Sequence, residues 1–146
     1  MLRFVEFESD GPSLAAITES KDGDFAFGNL QSRGDMLASV IGEPLRTLHL
    51  VSQVHGATVL RTSDSQPGLN LLGEADAIAT NRPSVALGIR VADCVPVYLY
   101  HRNPVCIALI HAGREGTQRG IGRAAGYMLH TDFGAVPNEI RALIGP

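Results

Sequence analysis

The sequence predicts one domain of mixed α and β structure in which strands dominate. Three observations lead there. Near-continuous apolar runs at 85–91, 95–100 and 105–110 have the pattern of strands buried on both faces. Ile121, Ala124, Ala125, Met128 and Leu129 recur at helical spacing. The chain has 146 residues, 45% hydrophobic and 18% charged, enough to bury a core and ordinary for a globular protein.

Taken in order, residues 2–7 alternate with period two and predict a strand. Asp10-Gly11-Pro12 is turn chemistry, and residues 14–18 resume a strand-like run. Lys21-Asp22-Gly23-Asp24 makes a second turn, and residues 25–35 read as a polar loop. Asp35 caps a short helix carrying Met36, Leu37, Val40 and Ile41, which Gly42 ends. Residues 48–54 and 58–61 predict strands on either side of a turn at Gly56. Residues 62–73 are rich in Ser, Asp, Gln, Pro, Gly and Asn and predict a surface loop. Residues 75–80 are apolar apart from Asp76. Asn103-Pro104 fits a tight connection between the last two long strands, and residues 113–116 read as a glycine turn. A helix follows over 117–130, which Gly120, Gly122 and Gly126 weaken by up to about 1 kcal/mol each unless they approach a sheet closely. Residues 140–144 predict a last strand, and no repeat or internal boundary divides the domain.

A net charge of −3 and an isoelectric point near 5.9 disfavour nucleic acid and membrane surfaces as partners, which require a basic face. No apolar run reaches membrane-spanning length, and the N-terminal stretch lacks the apolar core of a secretory signal. Two cysteines are too few for a disulfide framework, so a reducing, cytoplasmic setting is expected. A small-molecule partner is favoured.

His55, Cys94 and His111 stand at the ends of core strands, each beside a turn or small residue. A single cysteine in an apolar strand is ordinarily a small core residue. Two imidazoles and a thiolate together make a zinc first shell with a fourth position open, and zinc there activates water for attack on an electrophilic carbon. His₂Cys also suits copper, with Met128 or Met36 as an axial partner, although five histidines are too few for a multi-copper cluster. The same residues allow a metal-free hydrolase with Cys94 as nucleophile and His111 or His55 as base. Asp93 beside the thiol opposes that reading by disfavouring the thiolate.

The segments SQVHGATVL, GEADAIATNRPSVALGIRVADCVPVYLY and IALIHAGREGTQRGI, in that order, resemble the YfiH-like family, also labelled laccase-like or polyphenol oxidase. Members typically read QVHG, ADA(V/I)xT, RTADCxPV and HAGWRGTxxGI, and the match runs over residues 29–146. The resemblance implies a layered α+β sandwich with a mixed sheet, similar to cysteine-dependent deamidases. It implies zinc held by His55, Cys94 and His111, the same residues carrying catalysis. It further implies purine nucleoside phosphorolysis and adenosine deamination, with nucleoside and phosphate as partners, a copper-dependent phenol oxidase being the alternative. Asn29, Arg33 and Arg90 fall on or near family positions that would contact base, sugar or phosphate, Arg90 having an ion pair with Asp93 or Asp76 as its structural alternative. Three departures accompany the match. Arg114-Glu115 replaces Trp-Arg, Val91 replaces Thr, and the sequence ends at Ile144-Gly145-Pro146 where the family continues. A shortened relative, inactive or completed by homo-oligomerisation, is therefore among the expectations.

Overall fold

The two apolar runs flanking Asn103-Pro104 must find partners for every buried backbone group, and pairing with each other is the shortest route. The computed structural model of the chain describes residues 2–3, 15–19, 47–63 and 66–146. In chain order the strands are β1 (Leu2–Arg3), β2 (Ala16–Ile17), β3 (Thr47–Ser52), β4 (Val59–Arg61) and β5 (Gly68–Glu74). They continue as β6 (Ala77–Thr80), β7 (Val85–Gly88), β8 (Val95–Arg102) and β9 (Val105–Ala112). Helices α1 (Arg114–Gln118) and α2 (Ile121–Phe133), a 3₁₀ turn (Pro137–Glu139) and β10 (Arg141–Ile144) complete them.

β8 and β9 form an antiparallel hairpin in register from Val95↔Ala112 to Arg102↔Val105. Around it grows a mixed five-stranded sheet in the order β10-β8-β9-β6-β4, with only β4 and β6 parallel. A second sheet, β5-β3-β7, is wholly parallel, and β1 pairs with β2 alone. The architecture is a layered α+β sandwich with a mixed sheet, as expected.

Strand alternation sends side chains to opposite faces of the five-stranded sheet. Ala77 and Ala79 of β6 and Cys106, Ala108 and Ile110 of β9 face one way and meet Ile121, Ala125 and Leu129 of α2. Those three recur four residues apart and are at most 1% exposed, while Tyr127 on the opposite side is 67% exposed. Small alanines on the sheet let the helix sit close. Ile78 points the other way and packs with Val51 and Ala75 against Leu72, Leu87 and Ile89, joining the two sheets.

Several expectations are corrected. Residues 68–74 are a strand, because the edge of β3 offers parallel partners from Thr47↔Gly68 to Leu50↔Leu71; tertiary pairing outweighs local turn chemistry. The run 85–91 leaves the sheet after Gly88. Residues 114–118 are helical rather than a turn, and the left-handed Gly120 (φ 81°) separates α1 from α2. Gly122 and Gly126 do not approach a sheet: a Cβ at either would meet nothing within 4 Å. The capped helix expected at 36–41, the loop at 25–35 and the outer part of the first strand lie outside the described residues.

Leu129→Ala removes a side chain with 0% exposure, and we expect a loss of about 2–5 kcal/mol, read as a lower urea midpoint at unchanged slope. Tyr127→Ala, on the exposed face of the same helix, should shift stability by about 0.5 kcal/mol or less.

Candidate metal centre

After β3 the chain must turn back towards β4, and it does so through Val54-His55-Gly56. His55 adopts a left-handed backbone (φ 59°), a conformation uncommon in residues other than glycine. Asp76, immediately before β6 and 0% exposed, holds it there. Its Oδ1 accepts the His55 N–H at 2.9 Å, and its Oδ2 accepts those of Gly56 at 2.7 Å and Val54 at 3.3 Å.

The same carboxylate reaches across to β9. Asp76 Oδ1 lies 2.8 Å from His111 Nδ1, and the Asp76 carbonyl accepts the His111 N–H at 2.7 Å. An ionised carboxylate only accepts, so Nδ1 carries the proton and Nε2 keeps its lone pair for a ligand. Burial alone would raise the Asp76 pKa. The bonds from His111, Gly56, His55 and Val54 outweigh it and hold the group below the usual carboxylate range.

Cys94, half-buried just before β8, completes the group. One donor atom from each of His55, Cys94 and His111 lies within 4.8 Å of the others, and the His55 and His111 rings meet edge to face at 4.9 Å and 74°. Two glycines make room for this approach. A Cβ on Gly113 would lie 3.2 Å from both Cys94 Sγ and the His55 ring, and one on Gly116 would collide with the Gly56 carbonyl oxygen. Two nitrogen donors and a soft sulfur, one histidine already oriented by a carboxylate, fit a transition-metal ion.

Of the predicted site residues, then, His55, Cys94 and His111 come together. Arg90 is half-buried in the segment between β7 and Cys94, and burial lowers its pKa. Asn29 and Arg33 lie outside the described residues. Met128 packs into the core beneath α2. Glu115, the carboxylate that replaces a family arginine, pairs with Arg119 at the C-terminal end of α1. Sequence reasoning weighed Asp76 only as a partner for Arg90; its signal was a single carboxylate inside an otherwise apolar run.

Among families, the one described as multi-copper polyphenol oxidoreductase laccase matches residues 23–146. A Mycobacterium tuberculosis protein named purine nucleoside phosphorylase is 40% identical over 111 residues, 75% of this chain and 43% of that protein. A Corynebacterium glutamicum protein of the same name is 34% identical over 114 residues, 78% of this chain and 46% of its own. The chain thus spans less than half the length of these relatives. The crystal structure of YlmD from Geobacillus stearothermophilus superposes with a TM-score of 0.71 at 30% identity, covering 77% of this chain and 44% of that one. Bacillus licheniformis YfiH gives 0.69 at 27% identity, covering 82% and 50%. With most of its residues matched in this way, the chain belongs to the YfiH-like family of laccase-like proteins.

Proposed function

We propose that this chain carries the metal site of a zinc-dependent purine nucleoside enzyme, acting in phosphorolysis of adenosine or inosine and in adenosine deamination. The observation that carries the reading is the convergence of His55, Cys94 and His111 on one point, with Asp76 committing the Nδ1 face of His111 away from it. The purine substrate class is supported by the relatives named purine nucleoside phosphorylase. When bound, zinc at such a site supplies Lewis-acid polarisation and activation of water for attack on a purine carbon.

The chain's own groups would divide the remaining work. His111 Nε2, a ring nitrogen of His55 and Cys94 Sγ hold the ion. Asp76 keeps the proton on His111 Nδ1, so that the ring stays oriented as a donor. Arg90 offers a cation to phosphate or to the nucleoside, since a lowered guanidinium pKa still leaves it charged near neutrality. The exposed ring of His55 lies on the solvent side of the group and the buried ring of His111 on the inner side, so substrate approaches past His55.

The family description raises copper as the alternative. The other three histidines are engaged elsewhere through Nδ1: His49 with Thr62 Oγ1 at 2.6 Å, His101 with the Pro104 carbonyl and His130 with the Ala135 carbonyl, both at 2.8 Å. That leaves one three-donor group among the described residues, which suits a single ion.

Protein purified without added metal is expected to carry one zinc per chain by elemental analysis and to turn over adenosine or inosine. Cys94→Ser should lower metal affinity and turnover together, by more than the roughly 100-fold that loss of an outer partner costs. Copper with retained phenol oxidation would overturn the zinc reading, and a metal-free protein with a rapidly alkylated Cys94 would favour a cysteine hydrolase.

Asp76→Asn should weaken metal binding by about 10–100-fold, because the amide no longer compels the Nδ1–H tautomer of His111. It should also change acid stability. The folded-state pKa of Asp76 is lowered, so its stabilisation is fully present above the ordinary aspartate pKa of about 4 and is lost as pH falls through the folded value. Metal-free wild type should therefore lose stability below about pH 4, and Asp76→Asn should be less stable at neutrality with a shallower acid slope. Equal slopes in urea titrations across that range would count against the role.

A further inference from the structure

The parallel ladder between β3 and β7 ends at Leu50↔Gly88, yet the two chains stay tied beyond it. The side chain of Gln53 makes the tie. Its Nε2 donates to the Arg90 carbonyl at 2.7 Å, and its Oε1 accepts the Arg90 N–H at 2.8 Å. A primary amide is planar and carries donor and acceptor side by side, so it can satisfy both main-chain groups of one residue as a neighbouring strand would. Gln53 stands two residues before His55, and Arg90 four before Cys94.

We infer that Gln53 is a positioning residue of the metal centre, holding the Cys94 segment and the Arg90 backbone against the His55 turn. The inference rests on the three-donor reading above. Asp76 ties the His55 turn to His111, and Gln53 ties the same turn to the segment leading to Cys94. Among the described residues the β3–β7 register ends at Leu50↔Gly88, and beyond it the Gln53 amide gives the segment leading to Cys94 a two-bond contact with the continuation of β3, beside the packing of Ile89 on Val51, Ala75 and Ile78. Releasing it loosens the Arg90 backbone and the approach to the thiolate while His55 and His111 keep their Asp76 bonds.

Cobalt(II), added to the whole chain, reads the two kinds of ligand separately, because thiolate ligation gives its own charge-transfer band beside the ligand-field bands. Gln53→Leu removes both amide bonds. Gln53→Glu keeps size and acceptor but sets a carboxylate oxygen against the Arg90 carbonyl. Both are expected to lower cobalt affinity by about 10–100-fold, with the thiolate band losing intensity relative to the ligand-field bands. In metal-free protein the Arg90 amide should exchange about tenfold faster in Gln53→Leu, the equivalent of one hydrogen bond at the upper end of the usual range. The His111 amide, bonded to Asp76, should not change. Wild-type affinity with an unaltered thiolate band, or an unchanged Arg90 amide, overturns the inference. If wild type takes up no cobalt, the metal reading itself fails and amide exchange alone decides the clamp. If Gln53→Leu does not fold, Gln53→Glu carries both measurements; failure of both to fold makes Gln53 a residue of the fold and overturns the positioning role.

Discussion

A carboxylate carried out of water costs several kcal/mol unless hydrogen bonds replace its hydration, and Asp76 meets that demand with donors from two directions. Three successive backbone N–H groups come from the turn after β3, and a ring N–H comes from β9. Satisfying one buried charge therefore determines the backbone shape at His55, the tautomer of His111 and the distance between them. The site is in this sense a consequence of burying Asp76 correctly.

Sterics complete what that bond network begins. The turn that presents His55 also presents the Gly56 carbonyl, which occupies the space a side chain at residue 116 would need. Gly113 leaves room in the same way for the Cys94 sulfur and the His55 ring. Behind these contacts the hairpin of β8 and β9, with α2 packed on one face and Ile78 linking the second sheet on the other, supplies a rigid support. Residues that ligate a metal need such support, because a donor displaced by an ångström loses much of its worth.

The chemistry that could be attached to this arrangement is narrower than the family's labels. One three-donor group among the described residues, with the other histidines bonded through Nδ1, could hold a single ion. Its relatives named for purine nucleoside phosphorolysis are more than twice as long as the matched segment, so the base and sugar contacts they use need not all come from this part of the fold.

Periodicity and composition were sufficient for the long strands β8 and β9 and for most of α2, while the α+β class came from the resemblance to the family. Those signals are local: alternation and helical spacing are written in neighbouring residues. His55, Cys94 and His111 were also picked out together, first as imidazole and thiol at strand ends and then by the family resemblance, and their donor atoms lie within 4.8 Å of one another. What the sequence could not show was everything decided by partners far along the chain. Strand β5 looked like a loop because its composition is that of turns, and only the edge of β3 makes it a strand. Gly122 and Gly126 looked like packing glycines, but the helix rotates them away from the sheet and the close approach falls to Gly113 and Gly116. Asp76 stood out only as an ion-pair partner for Arg90 and Gln53 not at all; their hydrogen bonds of 2.8 and 2.7 Å join residues 35 and 37 positions apart. The residue types of the site were set by the sequence, and their orientation was decided by which buried polar groups the tertiary structure had to satisfy.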